Sequence, residues 1–327
     1  MSTGRSQPNA VAVSPDNFIR AESDLYFSRI VSDGGFGRFH HIRALTPLDQ
    51  QLVIRQNRDT LYSAAVFDLE AAPVTVTLPD PGQRFLSAQI ITEDHYVPEV
   101  IYGRARRTFT REDVGTRYML LAVRILVDPQ DPNDLRTVHR LQEAITVDQA
   151  DVGVFEIPNW DQASQKTVRD ALLTLATTLP DSKGMFGTSK STDPVRRLIG
   201  AASAWGGNPE RDALYHNVNP PLNDGQTVYR LTVPEVPVDG FWSITVYDKD
   251  GYLTANPQGA YSLNNLTATP SDDGTVVVQF GGCDDVTPNC LPVTPGWNYL
   301  VRLYHPRPEI VCGTWTFPTA EPVDGHA

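Results

Sequence analysis

One short pattern occurs twice in this sequence. Residues 74–96 read VTVTLPDPGQRFLSAQIITEDHY, and residues 229–252 read YRLTVPEVPVDGFWSITVYDKDGY. Each copy has an alternating run that ends in proline, a short acidic turn with Pro or Gly, and a strand that starts aromatic-x-Ser. Because self-similar segments mark repeated structural units, the sequence predicts two similar β-units that flank a shared cleft.

Strand alternation gives each copy two faces. One face is apolar in both copies and predicts a core face: Leu86, Ala88 and Ile90 in the first, and Trp242, Ile244 and Val246 in the second. The opposite faces mix apolar, hydroxyl and amide groups: Phe85, Ser87, Gln89 and Ile91, and Phe241, Ser243, Thr245 and Tyr247. Such a mixture suits a pocket wall as well as a solvated sheet face, and the pattern leaves both open.

Composition favours many short strands in a substantial core. The 327 residues include 26 Pro and 23 Gly, and 40% of them are hydrophobic. Prolines spread along a chain are typical of turns between strands. The net charge of −12 argues against a nucleic-acid or anionic-membrane partner, since phosphate binding needs clustered Lys and Arg. We interpret the single basic run, Arg104–Arg107, as a solvated turn in preference to an anion site.

The chain divides into four predicted parts. A flexible leader over residues 1–13 precedes an N-terminal β-unit with a leading helix (14–133), a helical segment (134–206) and a C-terminal β-sandwich unit (207–327). The predicted class is therefore α+β and β-rich. The sequence has neither a secretory signal nor an apolar run long enough to span a membrane, so we expect a cytoplasmic protein.

Helix signals are clear at three places. Ser14-Pro15 predicts an N-cap and first turn for a helix that runs to about Val31. Apolar residues at i, i+3 and i+4 predict a helix over 162–179. Asp193-Pro194 predicts the start of a third helix, which Gly206-Gly207 ends. The apolar run Tyr118–Val127 predicts a buried strand instead.

Three cysteines lie late in the sequence, at Cys283, Cys290 and Cys312. An odd count in a chain with no export signal favours reduced thiols. A local bridge between Cys283 and Cys290 stays open, whereas the spacing of His and Cys does not fit a zinc site.

Two arginine–tyrosine pairs are candidates for binding an oxyanion. In NRDTLYS, extended backbone would place Arg58 and Tyr62 on one side and Asp59 on the other; a structural Arg–Asp network is the alternative. Arg302 and Tyr304 share a second such face, for which an exposed sheet edge is the alternative.

His95 follows Glu93-Asp94 at the end of the first copy. A histidine beside carboxylates is a candidate general base because its pKa lies near neutrality; a hydrogen-bonded turn residue is the alternative interpretation. The sequence contains no nucleophile elbow, Walker loop, zinc-protease motif or dinucleotide fingerprint. We therefore predict neither a metal nor a cofactor.

Several longer stretches resemble known families: NRDTLYS, LPDPGQRFLSAQ, VPVDGFWSITVYDKDGYLTANPQGAYSLNN and WNYLVRLYHPRPEI followed by GTW. They resemble the paired domain-of-unknown-function families 1254 (N-terminal) and 1214 (C-terminal), over about residues 14–318. The resemblance implies two β-sandwich-like units, the C-terminal one jelly-roll-like, with helices between them. Some relatives carry hydrolase or esterase labels, although this sequence shows no recognisable nucleophile.

These observations predict a small-molecule enzyme with a metal-independent acid/base site between the two β-units. Hydrolysis of a carbonyl- or carboxylate-containing substrate is the first reaction to test; a lyase or isomerase would use the same groups, and a non-catalytic binding protein or oligomeric scaffold is the alternative. The predicted catalytic residues are His95, Tyr62 and Tyr247. The predicted substrate-binding residues are Arg58, Gln89, Trp205, Tyr261, Arg302 and Tyr304. The expected partner is a small molecule, and a homo-oligomer stays open.

Overall fold

The computed structural model describes residues 10–51 and 54–323. Most of the predicted leader, residues 1–9, lies outside these described residues. Contacts divide the chain into two compact units. Unit 1 comprises the described residues of Met1–Ile42, Tyr62–Ile125 and His139–Glu210, and unit 2 comprises those of Arg43–Leu61, Leu126–Val138 and Arg211–Ala327.

The described residues contain 16 strands in four sheets, with six α-helices. Up to Glu210 the elements are α1 (Phe18–Ser32), β1 (His40–His41), a 3-10 turn (Leu48–Gln50), β2 (Thr60–Asp68), β3 (Val74–Leu78), β4 (Leu86–Thr92), β5 (Val100–Tyr102), β6 (Ala105–Phe109), α2 (Arg111–Val114), β7 (Tyr118–Leu126), α3 (Pro132–Glu143), β8 (Thr146–Gln149), α4 (Gln162–Ala176) and α5 (Pro194–Ser203). The later elements are β9 (Ala213–Val218), β10 (Tyr229–Val233), β11 (Trp242–Tyr247), β12 (Ser262–Asn264), β13 (Val276–Phe280), β14 (Cys290–Leu291), β15 (Asn298–Tyr304), α6 (Pro308–Val311) and β16 (Glu321–Pro322). The α+β, β-rich class is confirmed.

Unit 1 is built on the sheet β1-β2-β7-β4-β5, accompanied by a smaller sheet β6-β3-β8. The apolar run Tyr118–Val127 forms the central strand β7, as predicted, and β7 pairs antiparallel with β4. Both strands bury residues on both faces, so the mixed face of β4 is not solvated.

Helices α1, α4 and α5 pack together in unit 1 around Phe18, Leu172 and Ile199. The predicted helices at 162–179 and from Asp193-Pro194 are confirmed as α4 and α5, and the Asp161 and Asp193 side chains cap them. The start of α1 differs from the prediction. Its N-cap is Asn17, and the helix does not begin at Pro15 with Ser14 as the cap. The Asn17 side chain accepts a hydrogen bond from the Ser14 backbone N–H.

Unit 2 is a β-sandwich of two four-stranded sheets, β14-β13-β10-β16 and β12-β11-β15-β9. Its core combines side chains from both sheets: Tyr229 and Leu231 from β10, Phe280 from β13, Ile244 from β11 and Val301 from β15. This interdigitation is the packing that defines two sheets lying face to face.

The repeated sequence pattern has the same topology in both units. In the first copy, β3 belongs to the small sheet of unit 1 and β4 to the large one. In the second copy, β10 and β11 belong to the two different sheets of the sandwich. The proline-containing turn therefore carries the chain from one sheet to another in each unit, and the aromatic-x-Ser motif marks the entry into the second sheet.

None of the helices in the described parts of the chain has the length and apolarity that a membrane span requires.

Candidate active site

Unit 2 contains a cavity of about 610 Å³, called here the polar cavity. This volume lies within the range of roughly 300–1,000 Å³ that is usual for small-molecule sites. The lining residues belong to four segments: Arg58–Asp59, Asp128–Gln130, 257–264 with Thr267, and part of 284–290. The lining carries one guanidinium, from Arg58, and the carboxylates of Asp59, Asp128, Asp284 and Asp285.

Asp59 is placed by a side-chain turn at the entrance of β2. The Asn57 side-chain oxygen accepts a hydrogen bond from the Asp59 backbone N–H at 2.7 Å, a local bond that asparagine often makes at turns. The Asp59 carbonyl accepts from the backbone of Val127 at 2.9 Å. These two bonds fix the backbone before the strand begins, and the Asp59 side chain is almost fully buried, with 1% of its surface exposed.

The two oxygens of the Asp59 carboxylate have different surroundings. Oδ1 accepts hydrogen bonds from the Ser262 hydroxyl at 2.9 Å and from the Asn264 amide at 3.1 Å. Ser262 and Asn264 alternate along β12, so both side chains lie on one face of that strand. Oδ2 is buried and has no hydrogen-bond partner among the described residues. A buried acceptor of this kind is explained by a bound water, a bound ion or a catalytic role.

A chain of hydrogen bonds connects Asp59 with the buried Arg302. The Arg302 guanidinium donates to Thr245 Oγ1 at 2.8 Å, and the hydroxyls of Thr245 and Ser262 lie 3.0 Å apart. Because arginine only donates and the Asp59 carboxylate accepts from Ser262, the chain has one direction, from Arg302 through the two hydroxyls to Asp59. The network orients the carboxylate and lets two buried opposite charges stabilise one another.

Arg302 itself does not line the polar cavity. Only 2% of its surface is exposed, and it also donates to the Arg55 carbonyl at 2.8 Å and to the Tyr247 hydroxyl at 2.7 Å. Burial lowers the pKa of Arg302, but the nearby Tyr247, Tyr304 and Asp59 outweigh that effect and raise it, so the guanidinium stays charged.

Arg58 presents its guanidinium to the polar cavity beside Tyr261. The Arg58 guanidinium carbon lies 5.0 Å from the centre of the Tyr261 ring, and Nη1 donates to the Thr46 carbonyl at 3.2 Å. Burial lowers the pKa of Arg58 below its ordinary value, while Tyr261 and Asp59 oppose the change. Arg58 and Asp59 both belong to the lining, so the polar cavity has one cationic residue beside a buried aspartate.

The other two predicted tyrosines of unit 2 engage protein groups. The buried Tyr247 hydroxyl donates to the Gln56 carbonyl at 2.8 Å, and burial raises the pKa of Tyr247 despite the neighbouring Arg302. The Tyr304 ring stacks on Phe241 at 4.4 Å between centroids, and its hydroxyl accepts from the Asn57 side chain at 3.1 Å. Neither tyrosine lines the polar cavity.

His95, the predicted base, is fully buried in unit 1. Its Nε2 accepts a hydrogen bond from the Gly206 backbone N–H at 2.9 Å, and its ring stacks on Trp205 at 5.4 Å between centroids. Burial, with a contribution from Arg197, lowers the pKa of His95 to about 3. The imidazole is therefore neutral near pH 7, and the nitrogen that could accept a proton is occupied.

The remaining predicted residues, Tyr62, Gln89 and Trp205, also lie in unit 1. Arg124 brings two of them together: it lies over the Tyr62 ring at 5.4 Å and donates to the Gln89 side chain at 2.7 Å. The Gln89 amide donates in turn to the Gly207 carbonyl at 2.8 Å. Trp205 stacks on Tyr26 and donates to Ser23 at 3.3 Å.

Each unit thus contains a buried arginine at the corresponding place on the strand that pairs with the repeated segment. Arg124 on β7 lies opposite Ser87 of β4, and Arg302 on β15 lies opposite Ser243 of β11. Each arginine donates to the side chain two residues after that serine, Gln89 or Thr245. In unit 2 the network continues through Ser262 to Asp59 and the polar cavity.

A disulfide closes one wall of the polar cavity. Cys283 and Cys290 are bonded to one another, so the expectation of reduced thiols is wrong for this pair. The loop between them supplies Asp284, Asp285, Thr287 and Asn289 to the lining. Near the Cys290 end of this loop, the Asn289 side chain accepts a hydrogen bond from the Thr269 backbone N–H and donates one to the Thr269 carbonyl, each at 2.8 Å. Cys312 is exposed and has no disulfide partner.

Sequence reasoning missed Asp59, Ser262 and Asn264 as site residues. The alternation of side chains along a strand predicted that Asp59 and Arg58 point to opposite sides. This alternation does not apply to the pair, because β2 begins only at Thr60. The signals that could have indicated these residues were the charged pair before a buried strand and the alternating polar residues of YSLNN. Within residues 10–51 and 54–323, no group of three or more His, Cys, Asp or Glu side chains is arranged to hold a metal ion.

Comparison with family models yields two matches. Residues 36–108 match the model described as a protein of unknown function, DUF1254, and residues 215–308 match the model described as a protein of unknown function, DUF1214. The two matches lie in the N-terminal and C-terminal order that the sequence motifs predicted. The DUF1214 match contains Ser262, Asn264 and Arg302, and the DUF1254 match contains Arg58 and Asp59. No curated protein sequence matches the chain.

Solved structures share the fold of this chain. The VPA0106 protein from Vibrio parahaemolyticus is 16% identical, with a TM-score of 0.70, over 94% of this chain and 96% of that one. An uncharacterised protein from Burkholderia cenocepacia is 13% identical, with a TM-score of 0.53, over 94% of this chain and 86% of that one. At such identities the similarity extends to the fold alone.

Proposed function

We propose that this protein is a metal-independent acid/base enzyme that acts on a small carbonyl compound in the polar cavity of unit 2. Asp59 is the general base, in place of the His95 that sequence reasoning favoured. The proposal rests on two observations about Asp59: it is one of the residues that line a cavity large enough for a substrate, and its buried Oδ2 has no hydrogen-bond partner among the described residues.

The proposed reaction is hydrolysis of an ester, lactone or amide. Asp59 Oδ2 accepts a proton from water as the water oxygen bonds to the carbonyl carbon, and the Arg58 guanidinium donates hydrogen bonds to the resulting oxyanion. When the intermediate collapses, the bond to the leaving group breaks and Asp59 returns the proton to that group. An ester yields a carboxylic acid and an alcohol, an amide yields a carboxylic acid and an amine or ammonia, and a lactone yields a single hydroxy acid.

Arg302, Thr245 and Ser262 are positioning residues in this proposal. Their bonds hold Asp59 Oδ1, which leaves Oδ2 as the oxygen that can accept a proton. A base whose orientation is fixed before the substrate binds loses less freedom in the transition state. Lyase or isomerase chemistry at a carbon next to the carbonyl would use the same base and the same cation.

The test is turnover of a panel of esters, lactones and amides by the wild-type protein and the Asp59→Asn variant. Asparagine keeps the size of the side chain and an oxygen for Ser262 and Asn264, but it cannot accept the proton. We expect kcat/KM to fall by about 10²- to 10⁴-fold, the usual contribution of a general base. The matched control is Asp272→Asn, the same change at an exposed aspartate of unit 2, which should leave turnover unchanged.

The variant Arg58→Ala tests the proposed role of the Arg58 guanidinium independently of Asp59. Removing the cation should lower kcat/KM by about 10²-fold or more, as loss of one donor to a developing oxyanion does. Equal turnover by wild type, Asp59→Asn and Arg58→Ala would overturn the residue assignments. Binding of panel compounds that depends on Asp59, with no turnover of any of them, would support the alternative of a non-catalytic small-molecule-binding protein.

A further inference from the structure

Unit 2 contains a second cavity, of about 260 Å³, called here the apolar cavity. Most of its lining side chains are hydrocarbon or aromatic: Val246, Tyr247, Ala255, Pro257, Ala260, Tyr261, Pro292 and Val293. The single charged residue of the lining, Asp248, uses its carboxylate to accept from the backbone N–H groups of Asp250 and Tyr252, each at 2.9 Å. The cavity is therefore suited to an uncharged group.

The apolar cavity is the neighbour of the polar cavity. Three residues, Pro257, Ala260 and Tyr261, line both. Arg58 and Asp59 line the polar cavity and not the apolar one. The shared residues thus adjoin a cavity with charged lining residues and a cavity lined mainly by apolar side chains.

The shared wall is a defined piece of structure. The Asn256 side chain donates to the Ala260 carbonyl at 2.9 Å and accepts from the Ala260 N–H at 3.1 Å, which closes the turn 256–260. The next residue, Tyr261, is fixed by its carbonyl, which accepts from the Val246 backbone at 3.0 Å, and by Arg58 over its ring. These contacts define the shape of the shared wall.

From this geometry we infer that the substrate carries an apolar substituent, of the size of a phenyl or branched alkyl group, beside its carbonyl, and that this substituent extends past Tyr261 and binds in the apolar cavity. The inference rests on the proposed function of the polar cavity. The volume is sufficient, because an apolar cavity of about 150 Å³ is enough to hold benzene. Each methylene that leaves water for the apolar cavity should strengthen binding about fourfold.

The experiment measures binding of four primary amides: acetamide, butyramide, hexanamide and phenylacetamide. A primary amide presents an N–H to Asp59 and a carbonyl to Arg58, so the four compounds differ only in the substituent. Affinity is measured by calorimetry or ligand-observed NMR, and ammonia release is followed in parallel so that KM replaces Kd for any amide that is hydrolysed. We expect an increase of about tenfold or more from acetamide to butyramide, with hexanamide and phenylacetamide tighter still.

The variant Ala255→Phe places a phenyl ring in the apolar cavity from an exposed residue of its lining. We expect the affinity of this variant no longer to depend on the substituent of the amide. Ala163→Phe, at an exposed alanine of α4 in unit 1, is the control and should retain it. Affinity that does not rise along the series, including undetectable binding of all four amides, overturns the inference, as does an unchanged gradient in Ala255→Phe. Failure of the proposed function is recognised separately, since it would appear as equal turnover in wild type and Asp59→Asn.

Discussion

His95 should remain uncharged far below the pH at which a histidine normally takes up a proton. The structure buries the ring completely and occupies Nε2 with the Gly206 N–H, and the pKa falls to about 3. In the unfolded chain the pKa of a histidine is about 6.5. Between these two pKa values the unfolded state binds a proton at His95 and the folded state does not. The contribution of His95 to the unfolding free energy is therefore fully present above about pH 6.5 and is lost as the pH falls toward 3.

The perturbation that isolates this effect is His95→Gln. Glutamine offers an oxygen to the Gly206 N–H but has no titratable group. With pKa values of about 6.5 and 3, linkage makes the histidine contribution to the unfolding free energy smaller by about 2 to 3 kcal/mol at pH 4.5 than at pH 7. The difference in unfolding free energy between wild type and variant should shift by that amount, in the direction that favours the variant at low pH.

The assay is urea unfolding followed by tryptophan fluorescence at several pH values between 7 and 4.5. Trp205, which stacks on the His95 ring, reports on unit 1. A parallel NMR titration of the labelled histidines should show one imidazole that stays neutral at pH 4.5. A difference between wild type and variant that does not change with pH, or seven imidazoles that all titrate near pH 6.5, would refute the reasoning.

Two further predictions concern a buried acid and the disulfide. Burial, partly offset by the Trp160 N–H, raises the pKa of Asp24 to about 6, so ionising Asp24 costs the folded state stability as the pH rises from about 4 to 6. The unfolding free energy of Asp24→Asn should thus rise by up to about 3 kcal/mol relative to that of the wild type between those pH values. A difference in unfolding free energy that does not change with pH would contradict this. Reducing the Cys283–Cys290 disulfide should destabilise unit 2 by about 2.5 kcal/mol, the chain-entropy value for so short a loop. Thermal unfolding with and without reductant tests this, with the Cys283→Ser/Cys290→Ser double variant as the control on which the reductant should have no effect.

Local signals in the sequence were sufficient for much of the fold. The Asp193-Pro194 pair predicted the start of α5 because an N-cap side chain and a first-turn proline act within one helical turn. The apolar run after Arg117 predicted β7 because a strand buried on both faces has no polar alternation. The repeated pattern predicted two similar β-units, and the structure adds that each copy crosses between sheets.

The candidate site could not be predicted in the same way because it depends on contacts between distant parts of the chain. Asp59 meets Ser262 and Asn264, more than 200 positions away in sequence. Which oxygen of Asp59 is left without a partner depends on those contacts, and so does the burial of Arg302. His95 shows the converse: its sequence neighbours Glu93 and Asp94 suggested a base, whereas its environment in the folded unit excludes water and fixes its acceptor nitrogen.

The repeat helps to explain why the two units differ chemically. Arg124 and Arg302 occupy corresponding strands, and each binds the side chain two residues beyond the shared serine. In unit 1 that side chain, Gln89, is held by a backbone carbonyl. In unit 2 the shorter Thr245 passes the hydrogen bond to Ser262 and so to Asp59. The hydrogen bonds of the buried arginine thus end at a backbone carbonyl in unit 1 and continue to a residue of the polar cavity in unit 2.

We expect Asp59 Oδ2 to be the atom to which a bound molecule presents a proton. A crystal structure of the wild-type protein with the panel compound or amide of highest affinity would locate that molecule. A donor atom of the molecule should lie about 2.6–3.2 Å from Asp59 Oδ2, with the molecule's carbonyl oxygen facing Arg58. A compound bound outside the polar cavity, or an Asp59 Oδ2 bonded to a group of the protein itself, would show that Asp59 is not the base.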